Sequence, residues 1–234
     1  MVDRQQLVMI PGLLCSDELF ADQSRGLAAA ADVHVGRVLK SHTLVNMARA
    51  ILHTSPPKFA LAGLSLGGYV AYEILRQAPE RVTRLALLGA NARADRPDQI
   101  KLRELLIGLA QMLGPRNVQA AALPMLIDKS RLRDRALVDR VLNMADVVGR
   151  DAFIRQQRAI IARPDNRAFL AEIACPTTII VGDADLLTPL KVAEELHEGI
   201  RGSSLHVIPD CGHLSTMEQP DPVNAVLREW LATA

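Results

Sequence analysis

The sequence predicts an α/β protein built on a doubly wound, mainly parallel sheet of about six strands, with an inserted group of helices. Two observations support this fold class. Short apolar segments typical of buried strands alternate with longer segments of helical periodicity, and this alternation is typical of parallel strands joined by crossover helices. Residues 90–176 depart from the alternation, because they contain several helical segments and no strand-like one.

The first part of the chain alternates four strands with three helices. Runs rich in Leu, Val, Ile and Ala predict strands over residues 7–10, 33–38, 59–62 and 85–88. Apolar residues three and four positions apart predict helices over residues 19–30, 44–53 and 66–78, the last of which ends before Pro79. Right-handed crossovers would place these helices on both faces of the sheet.

The middle of the chain reads as consecutive helices. Their apolar spacing covers residues 99–113, 116–127, 131–148 and 151–162, with breaks at Gly114-Pro115, Gly149 and Pro164. The alternation then resumes with strands over 178–181 and 205–208 and helices over 190–198 and 222–231. We therefore expect a core formed by residues 1–90 and 173–234 and an all-helical cap formed by residues 91–172.

Composition argues against several classes of function. The 234 residues carry a net charge of +1, which leaves no basic footprint for nucleic acid. The start of the chain has no secretory signal pattern, and no apolar run is long enough to span a bilayer. Three widely spaced cysteines fit neither a disulfide framework nor a zinc cluster. We expect a cytoplasmic protein without nucleic-acid or membrane partners, whose oligomeric state the sequence leaves open.

Charge is divided unevenly along the chain. Residues 90–172 contain 15 Lys and Arg against 10 Asp and Glu, whereas the remainder contains 12 against 16. Arginines of this kind usually lie on solvated helix faces. The alternative is that a few of them attract an anionic substrate towards a cleft.

The segment Gly63-Leu-Ser-Leu-Gly67 follows a predicted strand and precedes a predicted helix. This Gly-x-Ser-x-Gly pattern is typical of a nucleophile elbow, in which a serine projects from a sharp strand-to-helix turn. The glycines would allow strand and helix to approach closely. Ser65 is therefore a candidate nucleophile, the alternative being a serine that merely caps the following helix.

A nucleophilic serine requires a base and a group that orients the base. Asp183 and Asp185 both follow the strand over 178–181, and His213 follows the strand over 205–208. The other five histidines precede the serine or lie within a predicted helix or strand, so a structural role is expected for them. The candidate groups occur in the order Ser, Asp, His.

With these three segments the chain resembles the α/β-hydrolase family, and the resemblance extends over nearly all of the sequence. It is carried by residues 63–67, by Val-Gly-Asp-Ala-Asp-Leu-Leu-Thr-Pro at 181–189 and by Cys-Gly-His-Leu-Ser-Thr-Met-Glu-Gln-Pro at 211–220. Two departures are visible. The chain begins at the strand before the oxyanion loop without the usual leading hairpin, and Pro11 stands where many members have histidine.

The resemblance implies roles for further residues. The acid of the family is the third residue after the glycine that ends the strand, which here is Asp185, whereas Asp183 would bind local backbone amides. An acyl-transfer site also needs two amides for the developing oxyanion, and these would be those of Leu66, directly after the nucleophile, and Leu13, after Gly12. No pattern indicates a metal or a dinucleotide, so we expect chemistry without a cofactor.

The predicted function is a serine hydrolase acting on a small-molecule carboxylic ester or lactone, with small capped esterases and enol-lactonases as the relatives it most resembles. Two alternatives stay open at this stage. The same Ser-Asp-His arrangement in this family also hydrolyses carbon–carbon bonds or performs eliminations. A non-catalytic ligand receptor built on the same fold is the third hypothesis, because fold alone does not establish function.

Overall fold

The structure, a computed structural model, describes residues 4–233. At its centre is one six-stranded sheet with the strand order β2-β1-β3-β4-β5-β6, in which every neighbouring pair is parallel. The strands are β1 Gln5–Ile10, β2 Ala31–Val35, β3 Phe59–Leu64, β4 Val82–Leu88, β5 Thr177–Gly182 and β6 Ser204–Ile208. The predicted fold class is confirmed.

The burial of each strand matches its position in the sheet. β3 and β5 are inner strands and are buried along their whole length, as expected where helices cover both faces of a parallel sheet. β2 and β6 form the two edges and carry exposed polar residues, among them His34 and Ser204. Polar edges discourage the pairing of a further strand.

Helices pack on both faces of the sheet. Alternate residues of β1 show this division. Val8 belongs to a buried cluster that includes residues of the helices over 44–54, 66–77 and 190–199, whereas Met9 belongs to a cluster that includes residues of the helix over 220–232. Five helices belong to these two layers: α1 Ala21–Gly26, α2 Leu44–Thr54, α3 Leu66–Gln77, α8 Leu190–Gly199 and α10 Pro220–Ala232. A single turn of helix, α9 Ser215–Glu218, precedes α10.

Four helices lie between β4 and β5 in the sequence, and we call them the inserted helices: α4 Pro97–Leu113, α5 Pro115–Leu126, α6 Arg135–Val148 and α7 Arg150–Ile161. α4 packs on α5 and α7, and α5 packs on α6. The domain boundaries at residues 90/91 and 172/173 stay a prediction. No helix within residues 4–233 is long and apolar enough to cross a membrane.

Three local predictions were wrong. Residues 19–30 do not form one helix. A 3-10 turn at Asp17–Phe20 leads into α1, and α1 ends at Gly26. The Leu27 carbonyl then accepts the amides of Ala30 and Ala31, which closes a turn before β2. β2 therefore ends at Val35 and not at residue 38. The helix predicted over 131–148 is divided at Asp134, whose carboxylate accepts a hydrogen bond from the Leu137 amide and so caps α6.

Gly67 lies where α3 passes closest to β1. A Cβ atom at this position would lie 2.0 Å from the carbonyl oxygen of Ile10. Gly67→Ala is therefore expected to lower the free energy of unfolding by about 2–4 kcal/mol, because the backbone must move to relieve the overlap.

Gly108 provides the matched control, since it lies within α4 and a Cβ there would meet nothing within 4 Å. Gly108→Ala is expected to raise the free energy of unfolding by about 0.5–1 kcal/mol through better helix propensity. Urea unfolding followed by circular dichroism measures both changes. Wild-type stability in Gly67→Ala would show that this close approach is not tight.

Candidate active site

Ser65 occupies a strained turn between β3 and α3. Its φ of 54° and ψ of −111° are rare for a residue with a side chain. The turn is held because the Ser65 amide donates to the Leu88 carbonyl at 3.0 Å and the Gly68 amide donates to the Ser65 carbonyl at 2.9 Å. The Ser65 side chain makes no capping hydrogen bond to α3, which argues against the alternative that Ser65 only caps this helix. Strain of this kind points to function.

Asp185 and His213 form a buried pair on the loops that follow β5 and β6. His213 Nδ1 lies 2.8 Å from Asp185 Oδ2, and both side chains are almost completely buried. Because β5 and β6 are adjacent and parallel, the loops after them meet at the same edge of the sheet. This contact holds the imidazole through Nδ1, so Nε2 is the nitrogen that would accept a proton if His213 acts as the base.

The Asp185 carboxylate is also held from its own loop. Its Oδ1 accepts the amides of Leu187 and Thr188, both at 2.8 Å, and its Oδ2 accepts the Thr188 hydroxyl at 2.7 Å. Burial by itself would raise the pKa of Asp185, but His213 and these hydrogen bonds outweigh it and hold the pKa below its usual value. The carboxylate is therefore ionised at neutral pH.

Asp183 has a different environment. Its side chain is exposed, and its Oδ1 accepts a hydrogen bond from the Cys211 amide at 3.1 Å. It thus binds backbone on the loop that leads to His213 and is not the residue paired with the imidazole. The geometry favours Asp185 as the acid, although its role stays a prediction.

The two amides predicted to bind an oxyanion, those of Leu13 and Leu66, donate to no protein acceptor within residues 4–233. Leu66 is buried and Leu13 is half-buried. Amides shielded from water are nearly always paired, so two without a protein partner near a serine suit a site for a developing negative charge. Gly12 places the Leu13 loop beside the nucleophile, since a Cβ on Gly12 would lie 3.5 Å from the Ser65 Cβ. Pro11, at the position that departs from the family, is buried.

Ser65, His213 and Leu13 line one cavity of about 240 Å³. Its volume lies below the roughly 300–1,000 Å³ usual for ligand pockets, which favours a small substrate. Side chains from α4, α5 and α7 close its other side. The apolar ones are Leu102, Leu106, Val118, Ala122, Leu126, Phe153 and Ile160.

The end of α5 is joined to the loop that carries His213. The amides of His213 and Leu214 both donate to the Leu126 carbonyl at 3.0 Å. Two residues later, the Asp128 amide donates to Oε2 of the buried Glu218 at 2.6 Å. Burial raises the pKa of Glu218 although this hydrogen bond opposes the shift. An inserted helix therefore contributes directly to the position of the histidine.

Sequence reasoning missed Thr188 and Glu218. Thr188 follows Asp185 by three residues, a spacing at which a short polar side chain often closes a turn, so a local signal was present. Glu218 has no such local signal, because its partner Asp128 is 90 residues away in the sequence. The cavity residues of α4 and α7 were missed for a related reason, since helical periodicity does not say which polar residues turn inward.

Two of the cysteines, Cys15 and Cys211, are buried close to the candidate site. Burial raises the pKa of Cys15 to about 12 and raises that of Cys211 still further. Both are therefore neutral thiols at pH 7. In the part of the chain that the structure describes, no group of three His, Cys, Asp or Glu side chains is arranged to hold a metal ion.

A known hydrolase is similar to this chain in sequence. A 2-hydroxy-6-oxononadienedioate/2-hydroxy-6-oxononatrienedioate hydrolase of Escherichia coli O81 (strain ED1a) is 30% identical over 184 residues, which cover 76% of this chain and 63% of that protein. The match thus spans less than two thirds of the relative's length.

Solved structures are similar over nearly the whole chain. A thermophilic esterase from Thermogutta terrifontis, solved with malate bound, has a TM-score of 0.88 and 27% identity, covering 97% of this chain and 89% of its own. The enol-lactonase of Burkholderia xenovorans LB400 has a TM-score of 0.89 at 20% identity, covering 99% and 92%, and so supports the fold alone. The sequence profile of the alpha/beta hydrolase family matches residues 10–226. The resemblance seen in the sequence is confirmed, and the chain belongs to the alpha/beta hydrolase family.

Proposed function

We propose that this protein is a serine hydrolase that cleaves a small carboxylic ester or lactone through an acyl-enzyme on Ser65. The observation that carries the proposal is the arrangement around one cavity: a serine in a strained turn and a histidine paired with a buried carboxylate both line it. Unpaired amides at Leu13 and Leu66 supply the remaining requirement of acyl transfer.

The reaction would follow from these groups in order. Ser65 Oγ attacks the substrate carbonyl while His213 Nε2 accepts its proton, and Asp185 stabilises the imidazolium that forms. The amides of Leu13 and Leu66 bind the oxyanion. His213 then protonates the departing alkoxide, after which it activates a water molecule that releases the acid and restores Ser65.

Carbon–carbon bond hydrolysis is the second candidate, and a specific observation favours it. The substrate named for the 30% identical relatives carries carboxylates, a hydroxyl and a ketone but no ester. A hydrolase that acts on such a molecule must break a bond between carbons next to a carbonyl. The Ser65, Asp185 and His213 constellation would serve that reaction without any change of residues.

A substrate panel tests both candidates. Wild type and Ser65→Ala would be assayed with alkyl and 4-nitrophenyl esters of increasing acyl length, with simple lactones, and with a 2-hydroxy-6-oxodienoate followed by the loss of its dienolate absorbance. We expect ester or lactone hydrolysis in wild type and none in Ser65→Ala. A kcat/KM for the dienoate at least tenfold above that for the best ester would assign the second candidate. No turnover of any substrate, together with a Ser65 inert to a fluorophosphonate, would overturn both and favour a ligand receptor.

A further inference from the structure

One wall of the cavity is positively charged. Arg103 of α4 and Arg163, which follows α7, both line it beside Ser65 and His213. Among the described residues that line the cavity there is no Asp or Glu. The cavity that would receive the substrate is therefore bordered by cationic side chains without an acidic side chain on its surface.

A single buried carboxylate lies behind the two arginines. Arg103 Nε is 2.6 Å from Asp95 Oδ2, and Arg163 Nη2 is 2.7 Å from Asp95 Oδ1, with the Asp95 side chain completely buried. One carboxylate cannot neutralise two guanidinium groups, so the cluster keeps one positive charge. A charge held in a poorly solvated place favours an anionic partner.

The two arginines differ in what they can still bind. Arg163 donates to the Arg93 carbonyl, the Ile160 carbonyl and Asp95, and it stacks on the Tyr69 ring at 4.5 Å. Its side chain is 1% exposed, so it acts as a structural cation. Arg103 keeps 21% of its side chain accessible, and its contacts to Asp95 and Gln157 use three of its five N–H groups.

Gln157 of α7 adds a second donor beside Arg103. Its Oε1 accepts from Arg103 Nη1 at 2.9 Å, and this contact fixes the amide orientation, so Nε2 is the free end. That Nε2 is buried and has no acceptor within residues 4–233. A buried donor without a partner is costly, and a ligand oxygen would satisfy it.

We propose that Arg103 and Gln157 form a subsite for a free carboxylate, so that the substrate is a small ester, lactone or diketone that carries a second, anionic carboxyl group. This inference rests on the proposed function and specifies its substrate class. A guanidinium and an amide that converge on one oxygen pair give charge-assisted hydrogen bonds, which a neutral group of the same shape cannot match. The competing explanation is that the cluster only braces α4 against α7.

The test uses substrate pairs that differ in charge and hardly in shape. Monomethyl esters of succinic, glutaric and adipic acid would be compared with the methyl esters in which the free carboxyl is replaced by a primary amide. Binding is measured by calorimetry in a Ser65→Ala background, and turnover in the Ser65 background by pH-stat. We expect the best acid to bind at least tenfold more tightly than its amide and to show a similar preference in kcat/KM.

Two variants should remove the preference in different ways. Arg103→Met removes the guanidinium. Gln157→Glu keeps the size of the side chain but places a carboxylate where Gln157 Oε1 lies 2.9 Å from Arg103 Nη1, so this carboxylate would compete with the substrate for Arg103. Each is expected to lower the acid-to-amide ratio at least tenfold. Arg158→Met is the matched control, because Arg158 is the exposed next residue of α7 and does not line the cavity, and it should keep the wild-type ratio.

The outcomes separate this inference from the proposed function. Equal binding of acid and amide at all three chain lengths overturns the carboxylate subsite, whatever the turnover. A binding preference that is lost in Gln157→Glu, but without turnover of any ester or diketone in wild type, supports the subsite and overturns the hydrolase proposal. A preference that survives in both Arg103→Met and Gln157→Glu overturns the assignment to these residues, and melting curves identify any variant that fails to fold.

Discussion

Replacing Ser65 with alanine is expected to lower kcat by about 10⁴-fold or more, while the fold is retained. Two other groups among the described residues of the cavity cannot replace the Ser65 hydroxyl in the proposed mechanism. The Thr188 hydroxyl is bound to Asp185, and Cys15 is a buried thiol whose pKa is raised to about 12. Initial rates with the best substrate of the panel measure the loss. Circular dichroism and melting curves check that the turn at residue 65 still forms.

Ser215→Ala is the matched control for this experiment. Ser215 is buried two residues after His213, yet it does not line the cavity. We expect wild-type kcat in Ser215→Ala and labelling by a fluorophosphonate in both wild type and Ser215→Ala but not in Ser65→Ala. Retention of more than a few per cent of activity in Ser65→Ala would contradict the assignment of the nucleophile.

Asp185→Asn is expected to lower kcat by about 10³- to 10⁴-fold. An asparagine would still fill the space, but its amide cannot stabilise the imidazolium and would favour the wrong tautomer of His213, whose Nδ1 lies 2.8 Å from the Asp185 carboxylate. Steady-state kinetics at saturating substrate measure the effect, since substrate binding should change little.

Asp183→Asn separates the acid from its neighbour. The Asp183 side chain accepts one hydrogen bond from the Cys211 amide, and an asparagine oxygen can accept the same bond. A change in kcat of no more than about threefold is therefore expected. Full activity in Asp185→Asn, or a larger loss in Asp183→Asn, would exchange the two assignments.

The parts of this fold that were predicted well from the sequence are those determined by residues close together in the chain. β3 is apolar at every position because helices cover both faces of the sheet, and the pentapeptide around Ser65 contains the glycines that its own sharp turn requires. The segments after β5 and β6 likewise carry Asp185 and His213 within a few residues of the strand ends. Local sequence patterns are enough to predict a structural element where its geometry requires particular residue types.

The parts that sequence reasoning missed depend on contacts between distant segments. Strand order places β1 between β2 and β3, and this follows from packing that no single segment encodes. The hydrogen bond from Arg103 to Gln157 joins residues 54 positions apart, and the one from Asp128 to Glu218 joins residues 90 positions apart. Helical periodicity places such residues on a face but does not identify their partners.

The hydrogen bonds from the His213 and Leu214 amides to the Leu126 carbonyl also limit which segments can be replaced by those of a related protein. The strands and the inserted helices are not independent modules, because the last turn of α5 anchors the loop that carries the histidine. A chimera that imports new inserted helices to change the substrate must keep the segment from Leu126 to Asp128, or must import the matching histidine loop with them. Evolution of substrate range in such a scaffold is thus freer in α4 and α7, which line the cavity without holding that loop.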